Sequence, residues 1–505
     1  MKKDAYAKLL ELSKNTALLT SIQALLDWDQ ETYMPKEAIH IRSLQIELLS
    51  GLLHKAKTNP QYVKALNGLI DIETGEIQED RLSLHQIAAL REFRRDYLHD
   101  SKLSNAFIKN FSKTTSTAIH AWKSAKDHND FREFAPHLEK IVSLCRKKAD
   151  LLGFKEHPYD ALLDLYEPEM KTSYLVPLFT ELKLKLTHLV QQIAGCAQPA
   201  TEFLTGEFPK YKQMNFSHQL LRAMGFHGDT SRLDLSHHPF CTSLHPTDVR
   251  MTTRIHPDNP MFNIFCILHE GGHGLYEMNL NKDFYGTPLC SAISLGIHES
   301  QSRFWETLIG HSHPFWQHFY PRLQEEFPEP FSAINLSDFY QAIHTVKPGL
   351  IRIQSDEVTY NLHIIVRFEI EKALIEGSLK VRDVPSAWNE KMREYLGVSP
   401  SFDGEGCLQD IHWAMGGLGY FPTYTLGNLF AAQFFAAFEK AHPDWKIKVA
   451  QGDLSFIREW LKENIHQFGR QYTSTELCQK VTGKPLSADC FVNYLEGKYK
   501  AIYHI

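Results

Sequence analysis

Apolar residues recur at helical spacing along most of the chain. Between residues 5 and 26, leucine and isoleucine residues are separated by three, four or seven positions, as on one face of an amphipathic helix. The same pattern predicts helices over residues 83–98, 105–127, 136–152, 174–195, 261–280, 292–310, 353–377 and 425–441. Strand-like alternation is scarce, and its best example is Ser243 to Ile255, which is rich in β-branched residues and broken by Pro246. We therefore predict a mostly α-helical protein with a very small β element.

No internal repeat, low-complexity tract or Gly/Pro-rich linker marks a domain boundary in the 505 residues. A helical fold built around a long groove can use this length as one unit. We therefore expect a single domain, 1–505, with two lobes.

Composition and charge exclude several classes of function. The net charge of -6 leaves no global basic field to hold nucleic acid or an anionic membrane surface. The longest apolar stretch, Leu429 to Phe438, is about half of what a membrane-spanning helix needs. Charged residues follow Met1 closely, so no signal peptide is indicated, and the eight cysteines contain no CxxC pair. We expect a cytoplasmic protein without a disulfide framework.

The strongest chemical signal lies in residues 262–277, FNIFCILHEGGHGLYE. His269 and His273 are four positions apart, so both imidazoles lie on one helix face and can reach a single zinc ion. Glu270 follows the first histidine, where a metallopeptidase carries its general base. The apolar run before His269 indicates a buried helix, which is the context that such a motif requires.

Three glycines in one turn disfavour this helix, because each glycine reduces helix stability by about 1 kcal/mol relative to alanine. Their presence suggests that another part of the chain approaches the backbone closely; they are Gly271, Gly272 and Gly274. Because the chain has 27 histidines, the motif can also arise by chance. The alternative is a plain polar helix face.

A third ligand is available on the helix predicted downstream. In residues 294–310, apolar side chains lie on one face and Glu299, Ser302 and Glu306 on the other. An acidic residue from a later helix is one known way to complete a zinc site with two histidines. The alternative is that this face is simply solvated.

At this point the sequence resembles the M32 metallocarboxypeptidases, the carboxypeptidase Taq-like enzymes. Five motifs in the family's order carry the resemblance: HPF at His238–Phe240, DxRxT at Asp248–Thr252, HExxH at His269–His273, HES/GQ at His298–Gln301 and GxxQDxHW at Gly406–Trp413. A sixth, I/VRxxAD, is matched by Ile351–Asp356 with Ser355 in place of the usual alanine.

The resemblance implies a helical zincin-type fold with a deep central groove and a homodimer. An N-terminal lobe of about 1–200 would cover a zinc-site lobe of about 201–505. It also implies removal of C-terminal residues from peptides with broad specificity, with Zn²⁺ as the metal and Co²⁺ as a possible substitute. By motif position, His269, His273 and Glu299 would bind the metal, and Glu270 would be the base.

A carboxypeptidase also needs a fixed cation for the terminal carboxylate of its substrate, and arginine matches a carboxylate bidentately. Arg352 and Arg250 lie in family motifs, and we favour Arg352. The alternative is that Arg352 pairs with Asp356 as an ordinary helix salt bridge. Further candidates for substrate binding or oxyanion stabilisation are His238, His412, Tyr420 and Tyr424.

Two alternative functions stay open. A zinc endo-oligopeptidase would share the two histidines and the glutamate but lack the carboxylate-binding cation. A non-enzymatic scaffold would have lost the chemistry, and the intact motif argues against it.

Overall fold

The structure, a computed structural model, describes residues 2–505. These residues are mostly helical, as predicted. The helices are α1 (Lys2–Thr32), α2 (Ile39–Lys57), α3 (Pro60–Asn67), α4 (Leu84–Lys102), α5 (Asn105–His128), α6 (Phe131–Leu152), α7 (Pro158–Leu163), α8 (Thr172–Ala194), α9 (Lys210–Met224), α10 (Pro260–Asn279), α11 (Leu295–Arg303), α12 (His313–Glu326), α13 (Pro328–Phe331), α14 (Leu336–Ala342), α15 (Tyr360–Glu376), α16 (Val384–Leu396), α17 (Pro422–Ala441), α18 (Trp445–Ala450), α19 (Ser455–Asn464), α20 (Ser474–Thr482) and α21 (Asp489–Tyr503).

One small sheet interrupts the helices. Its strands are β1 (Ser231–Leu235), β2 (Cys241–His245) and β3 (Asp248–Thr253), in the order β1-β3-β2. β1 is parallel to β3, and β2 is antiparallel to it. The predicted strand segment covers the end of β2 and all of β3, and Pro246 lies in the turn between them. The expectation of a very small β element is therefore confirmed, although β1 was missed.

Two predicted helices differ from the observed ones. The helix predicted over 292–310 is α11 continued by a π-helix, Phe304–Gly310. The helix predicted from residue 353 starts only at Tyr360, because the Asp356 carboxylate accepts the backbone amides of Val358 and Thr359 at 3.0 and 2.9 Å. Arg352 instead begins a separate 3-10 turn.

The core is built around α10, α11 and α17, which lie side by side. A large apolar cluster joins these helices to α6, α8 and α15, so it includes residues from both sides of position 200. A second, smaller cluster joins α1, α3 and α4 around Leu9, Leu66 and Leu90. The division of the chain into lobes at about residue 200 stays a prediction.

A cavity of about 700 Å³ lies beside this core. α1 lines one side of it and β2 another, while Glu277 near the end of α10 contributes to its wall. Within residues 2–505, none of the helices combines the length and the apolar character that crossing a membrane requires.

Candidate metal centre

α10 carries the HExxH motif through the core. The helix starts at Pro260, and the side chain of Asn259 caps it by accepting the amide of Met261. Most of its residues are buried, so tertiary packing compensates for the poor helix propensity of its glycines.

The glycines allow a close approach between helices, as their clustering suggested. A Cβ atom at Gly272 would lie 2.4 Å from the carbonyl oxygen of Gln301 and 2.6 Å from Cα of Ser302. On the other side of α11, a Cβ atom at Gly427 would lie 2.4 Å from Cγ of Glu299. α11 is thus held between two helices that have no side chain at the contact, and this position brings Glu299 to the histidines.

The structure brings His269, His273 and Glu299 together, and we call these three residues the metal cluster. Oε2 of Glu299 lies 3.6 Å from Nε2 of His269 and 3.5 Å from Nε2 of His273. One ligand atom from each residue falls within 4.8 Å of the others. Two imidazole nitrogens and one carboxylate oxygen form a donor set typical of a catalytic zinc site, so the residues present fit the metal.

The other ring nitrogens of the two histidines are occupied. Nδ1 of His269 lies 2.8 Å from Oε2 of Glu306, and Nδ1 of His273 lies 2.6 Å from Nδ1 of His298. Nε2 of His298 in turn lies 2.8 Å from Oε1 of Glu277. If each histidine donates its outer proton along this chain, both Nε2 lone pairs face Glu299. Such outer partners orient ligating histidines in metal sites.

Electrostatics favour a cation in the metal cluster. Burial and neighbouring His298 lower the pKa of His273 to about 3, so this ring is neutral. Burial also lowers the pKa of His269, but the charges of Glu299 and Glu306 outweigh it and raise that pKa to about 9. The negative potential that draws a proton to His269 equally draws a metal ion, which would replace that proton.

Glu270 is buried next to the metal cluster and makes no ion pair within residues 2–505. Burial raises its pKa to about 7. A carboxyl group with such a pKa can both accept and return a proton near neutral pH, as a general base requires.

Arg303 holds two carboxylates of the site and was not identified from the sequence. Its Nε donates to Oε1 of Glu299 at 2.8 Å, and its Nη1 donates to Oε2 of Glu306 at 3.2 Å. One guanidinium therefore fixes a metal-cluster residue and the carboxylate that orients His269. Helical spacing could have revealed it, because Arg303 follows Glu299 by four residues.

Arg352 does not pair with Asp356, so that alternative is wrong. Instead its Nη2 donates to Oδ1 of Asp410 at 2.8 Å. Asp410 also accepts a hydrogen bond from Nε of Arg367, at 2.7 Å through its Oδ2. We call Arg352, Arg367 and Asp410 the arginine cluster. All three side chains are largely buried, with two positive charges and one negative charge.

The arginine cluster is connected to the metal cluster through Tyr360. The hydroxyl of Tyr360 accepts Nη1 of Arg352 at 3.1 Å, and the Arg303 guanidinium lies over its ring at 4.7 Å. The Tyr360 side chain therefore lies between two arginines, one from each side of the site.

His412, Tyr420 and Tyr424 form an aromatic wall beside both clusters. The hydroxyl of Tyr424 lies 3.4 Å from Nε2 of His412, and the Arg352 guanidinium lies over the Tyr424 ring at 5.1 Å. The rings of Tyr420 and Tyr424 are 5.4 Å apart. Burial raises the pKa of both tyrosines, and the charge of Glu299 adds to this effect. Both phenols therefore stay protonated and can donate.

Arg250 and His238 lie in other surroundings. Arg250 pairs with Asp248 at 2.9 Å and lies over the ring of Trp28 at 4.4 Å, so it faces α1. His238 lies between β1 and β2, with its ring 4.8 Å from that of His237. Within the described residues, no hydrogen bond or ion pair connects either side chain to the metal cluster or the arginine cluster. Their role in substrate binding stays a prediction.

Comparison with known proteins agrees with this site. Residues 8–499 match the family model described as carboxypeptidase Taq (M32) metallopeptidase. Thermostable carboxypeptidase 1 of Thermus thermophilus is 42% identical over 99% of each chain, and carboxypeptidase 1 of Bacillus subtilis is 37% identical over 98% of each chain.

Solved structures agree as well. The crystal structure of the M32 carboxypeptidase from Deinococcus radiodurans R1 matches with a TM-score of 0.96 at 36% identity, over 99% of this chain and 100% of that chain. Trypanosoma cruzi metallocarboxypeptidase 1 matches with a TM-score of 0.93 at 34% identity, over 99% and 100%. Fold and site together define a metallocarboxypeptidase. The chain belongs to the carboxypeptidase Taq (M32) family.

Proposed function

We propose that this protein is a zinc-dependent carboxypeptidase that hydrolyses the C-terminal peptide bond of peptides with broad specificity. His269, His273 and Glu299 would hold the metal, and Co²⁺ could replace Zn²⁺. The bound metal supplies Lewis acidity, which lowers the pKa of water to about 7 and polarises a peptide carbonyl.

Glu270 would remove the proton from the attacking water and pass it to the leaving amine. Its buried position and its pKa of about 7 support both halves of this transfer. Arg303 would keep Glu299 and Glu306 in place while this happens, since it donates to both carboxylates.

The phenols of Tyr420 and Tyr424, with His412, are the donors available for the oxyanion that develops at the scissile carbonyl. Tyr424 is the favoured donor, because its hydroxyl already lies within 3.4 Å of His412 and its ring packs against Arg352.

The arginine cluster is the observation that carries exopeptidase specificity. Asp410 compensates only one of the two buried guanidinium groups, so the cluster has a surplus positive charge. A buried surplus charge is costly unless a partner arrives, and a terminal carboxylate is a suitable partner. Because Tyr360 joins this cluster to Arg303, the carboxylate would be held beside the bond to be hydrolysed.

An endo-oligopeptidase is the alternative, and peptide ends distinguish the two. Metal-free protein reloaded with Zn²⁺ or Co²⁺ would be incubated with one peptide as the free acid and as the C-terminal amide, and the products followed by mass spectrometry. We expect a ladder of single-residue losses from the free acid and little cleavage of the amide. Internal cleavage of both peptides would contradict the proposal, and so would a ladder that does not depend on metal.

A further inference from the structure

A buried carboxylate lies at the start of the helix that carries Glu299. Glu167 lies in the connection between α7 and α8 and is 0% exposed. Its Oε2 accepts the backbone amide of Gly296, the second residue of α11, at 3.0 Å. Neither the metal cluster nor the arginine cluster includes Glu167, and the proposed hydrolysis does not use it.

This contact completes the hydrogen bonds of the first turn of α11. The first four amides of a helix have no partner within the helix itself. In α11, the carbonyl of Tyr166 accepts the amide of Leu295 at 3.0 Å. The hydroxyl of Ser294 accepts the amide of Ile297, and its carbonyl accepts that of His298, both at 3.0 Å. Two of the four acceptors are therefore consecutive residues, 166 and 167, that are distant from α11 in the sequence.

The contact between Glu167 and α11 is tight. A Cβ atom at Gly296 would lie 2.4 Å from Oε2 of Glu167 and 3.3 Å from Cβ of Leu426 on α17. Burial raises the pKa of Glu167 to about 7, although the side chains of Ser474 and Ser294 lower it. A carboxyl group that is kept in the interior at such a cost indicates a specific role.

We propose that Glu167 is a positioning residue for the metal centre, because it fixes the start of α11 and with it the place of Glu299. The inference rests on the proposed function, since it takes Glu299 as a metal ligand. Glu299 lies only three residues after Gly296, so a shift of the first turn would move the ligand directly. Groups that hold metal ligands in place typically change metal affinity by about 10–100-fold when they are removed.

The alternative is that Glu167 only stabilises a helix end, and the chain offers a matched control for it. Asp160 on α7 is 1% exposed, and its Oδ1 accepts the amide of Thr172, the first residue of α8, at 2.7 Å. Both carboxylates are buried and both accept an amide at the start of a helix. Only α11 carries a proposed metal ligand, whereas no residue of the metal cluster or the arginine cluster lies on α8.

The first test measures the zinc Kd of the metal-free full chain by competition with a chelating dye. Glu167→Ala should raise the Kd about 10-fold or more, whereas Asp160→Ala should leave it unchanged. Urea denaturation of the metal-free protein should show a loss of stability in both variants. Glu167→Gln should restore most of the zinc affinity, because its amide oxygen can still accept the amide of Gly296.

Glu299→Ala is the reference for this titration, since it removes the proposed ligand itself. If Glu299→Ala raises the Kd and Glu167→Ala has no more effect than Asp160→Ala, this inference is overturned and the proposed function stands. If Glu299→Ala has no effect, the ligand set of the proposed function is wrong, and the inference fails with it.

The second test examines the contact itself with milder substitutions, and it applies even if Glu167→Ala does not fold. Gly296→Ala should raise the zinc Kd, because its Cβ atom would collide with the carboxylate of Glu167. In a Glu167→Asp background the carboxylate is one methylene shorter, so the same glycine substitution should raise the Kd less. Circular dichroism of each variant checks that the fold is intact. Strictly additive effects would mean that the two residues do not act through their contact, and the proposal would be wrong.

Discussion

The metal cluster and the arginine cluster lie next to each other but are built in different ways. The metal cluster is built from two helices. His269 and His273 are four positions apart on α10, and a close contact between α10 and α11 adds Glu299. The arginine cluster joins a 3-10 turn, the buried face of α15 and a loop near residue 410. A site built on short helical spacing can be recognised from a short stretch of sequence. A site assembled from distant segments can be recognised only once the fold is known.

The largest expected effect comes from Glu270, next to the metal cluster, and it separates loss of catalysis from loss of metal binding. Glu270→Gln keeps all three proposed ligands but cannot accept a proton, so kcat should fall by about 10²–10⁴-fold. Zinc content after dialysis should equal that of the parent, measured by atomic emission spectroscopy. A variant with normal zinc content and more than a few per cent of the parent activity would show that Glu270 is not the base.

The next effect distinguishes the arginine cluster from Arg250. Arg352→Ala should lower kcat/KM on free-acid peptides by a factor equivalent to about 2–4 kcal/mol. A loss of this size is typical of removing one partner of a desolvated charge pair. Activity on amidated peptides should change little, because they offer no carboxylate. Arg352→Lys should recover only part of the loss, since a point charge replaces a planar fork.

Arg250→Ala is the comparison for this measurement. Arg250 pairs with Asp248 on β3 and lies over Trp28, outside the arginine cluster. If Arg250→Ala caused the loss that is selective for free acids, the terminal carboxylate would bind at β3 instead.

A smaller effect is expected from disturbing the helix contact that assembles the metal cluster. Gly272→Ala should reduce the free energy of unfolding by about 1–3 kcal/mol, because its Cβ atom would collide with the α11 backbone. Zinc affinity should fall as well, since Glu299 would move away from the histidines. Chemical denaturation of the metal-free protein and a competitive zinc titration measure the two effects.

Gly497→Ala is the control for Gly272→Ala. Gly497 also lies in a helix, but a Cβ atom there would meet nothing within 4 Å. Its replacement should leave stability unchanged or raise it slightly. Equal behaviour of the two variants would mean that the close approach of α10 and α11 is not required.

The smallest expected effect concerns the connection between the two clusters. Tyr360→Phe removes the hydroxyl that accepts Arg352 but keeps the ring beneath Arg303. The loss of one hydrogen bond to a charged group should raise KM for free-acid peptides by an amount equivalent to about 1.5 kcal/mol, with zinc affinity unchanged. A simultaneous loss of zinc affinity would show that the clusters are energetically coupled and not merely adjacent.

The same contrast explains how much could be predicted from the sequence. Helix periodicity predicted nine of the 21 α-helices described in residues 2–505, including all those of 20 residues or more, because an amphipathic helix records its buried face in local spacing. It did not predict β1, a strand of only five residues that is defined by its pairing with β3. It also missed the π-helix after α11, since the π-helix continues the apolar spacing of the helix before it.

For the site, the motif residues were found because their spacing is short. The alternative partner of Arg352, Asp356, was wrong, because the Asp356 carboxylate accepts the backbone amides of Val358 and Thr359 just before α15. Asp410, 58 residues away in sequence, reaches the guanidinium through the fold instead. Arg367 carried no signal at all, since an arginine within an apolar helix pattern looks like an interruption of it. Buried charge networks of this kind depend on tertiary contacts that local patterns do not record.

The surplus charge of the arginine cluster has a consequence for the resting enzyme. Without a bound carboxylate, the folded chain holds Arg352 and Arg367 around the single charge of Asp410, and this arrangement costs stability. If the arginine cluster binds a carboxylate as proposed, any small carboxylate would neutralise the surplus charge and raise the melting temperature by mass action. The amino acid released in each turnover is such a carboxylate. The enzyme would therefore be most heat-resistant when its own product accumulates, and departure of that product would become the slow step at high turnover.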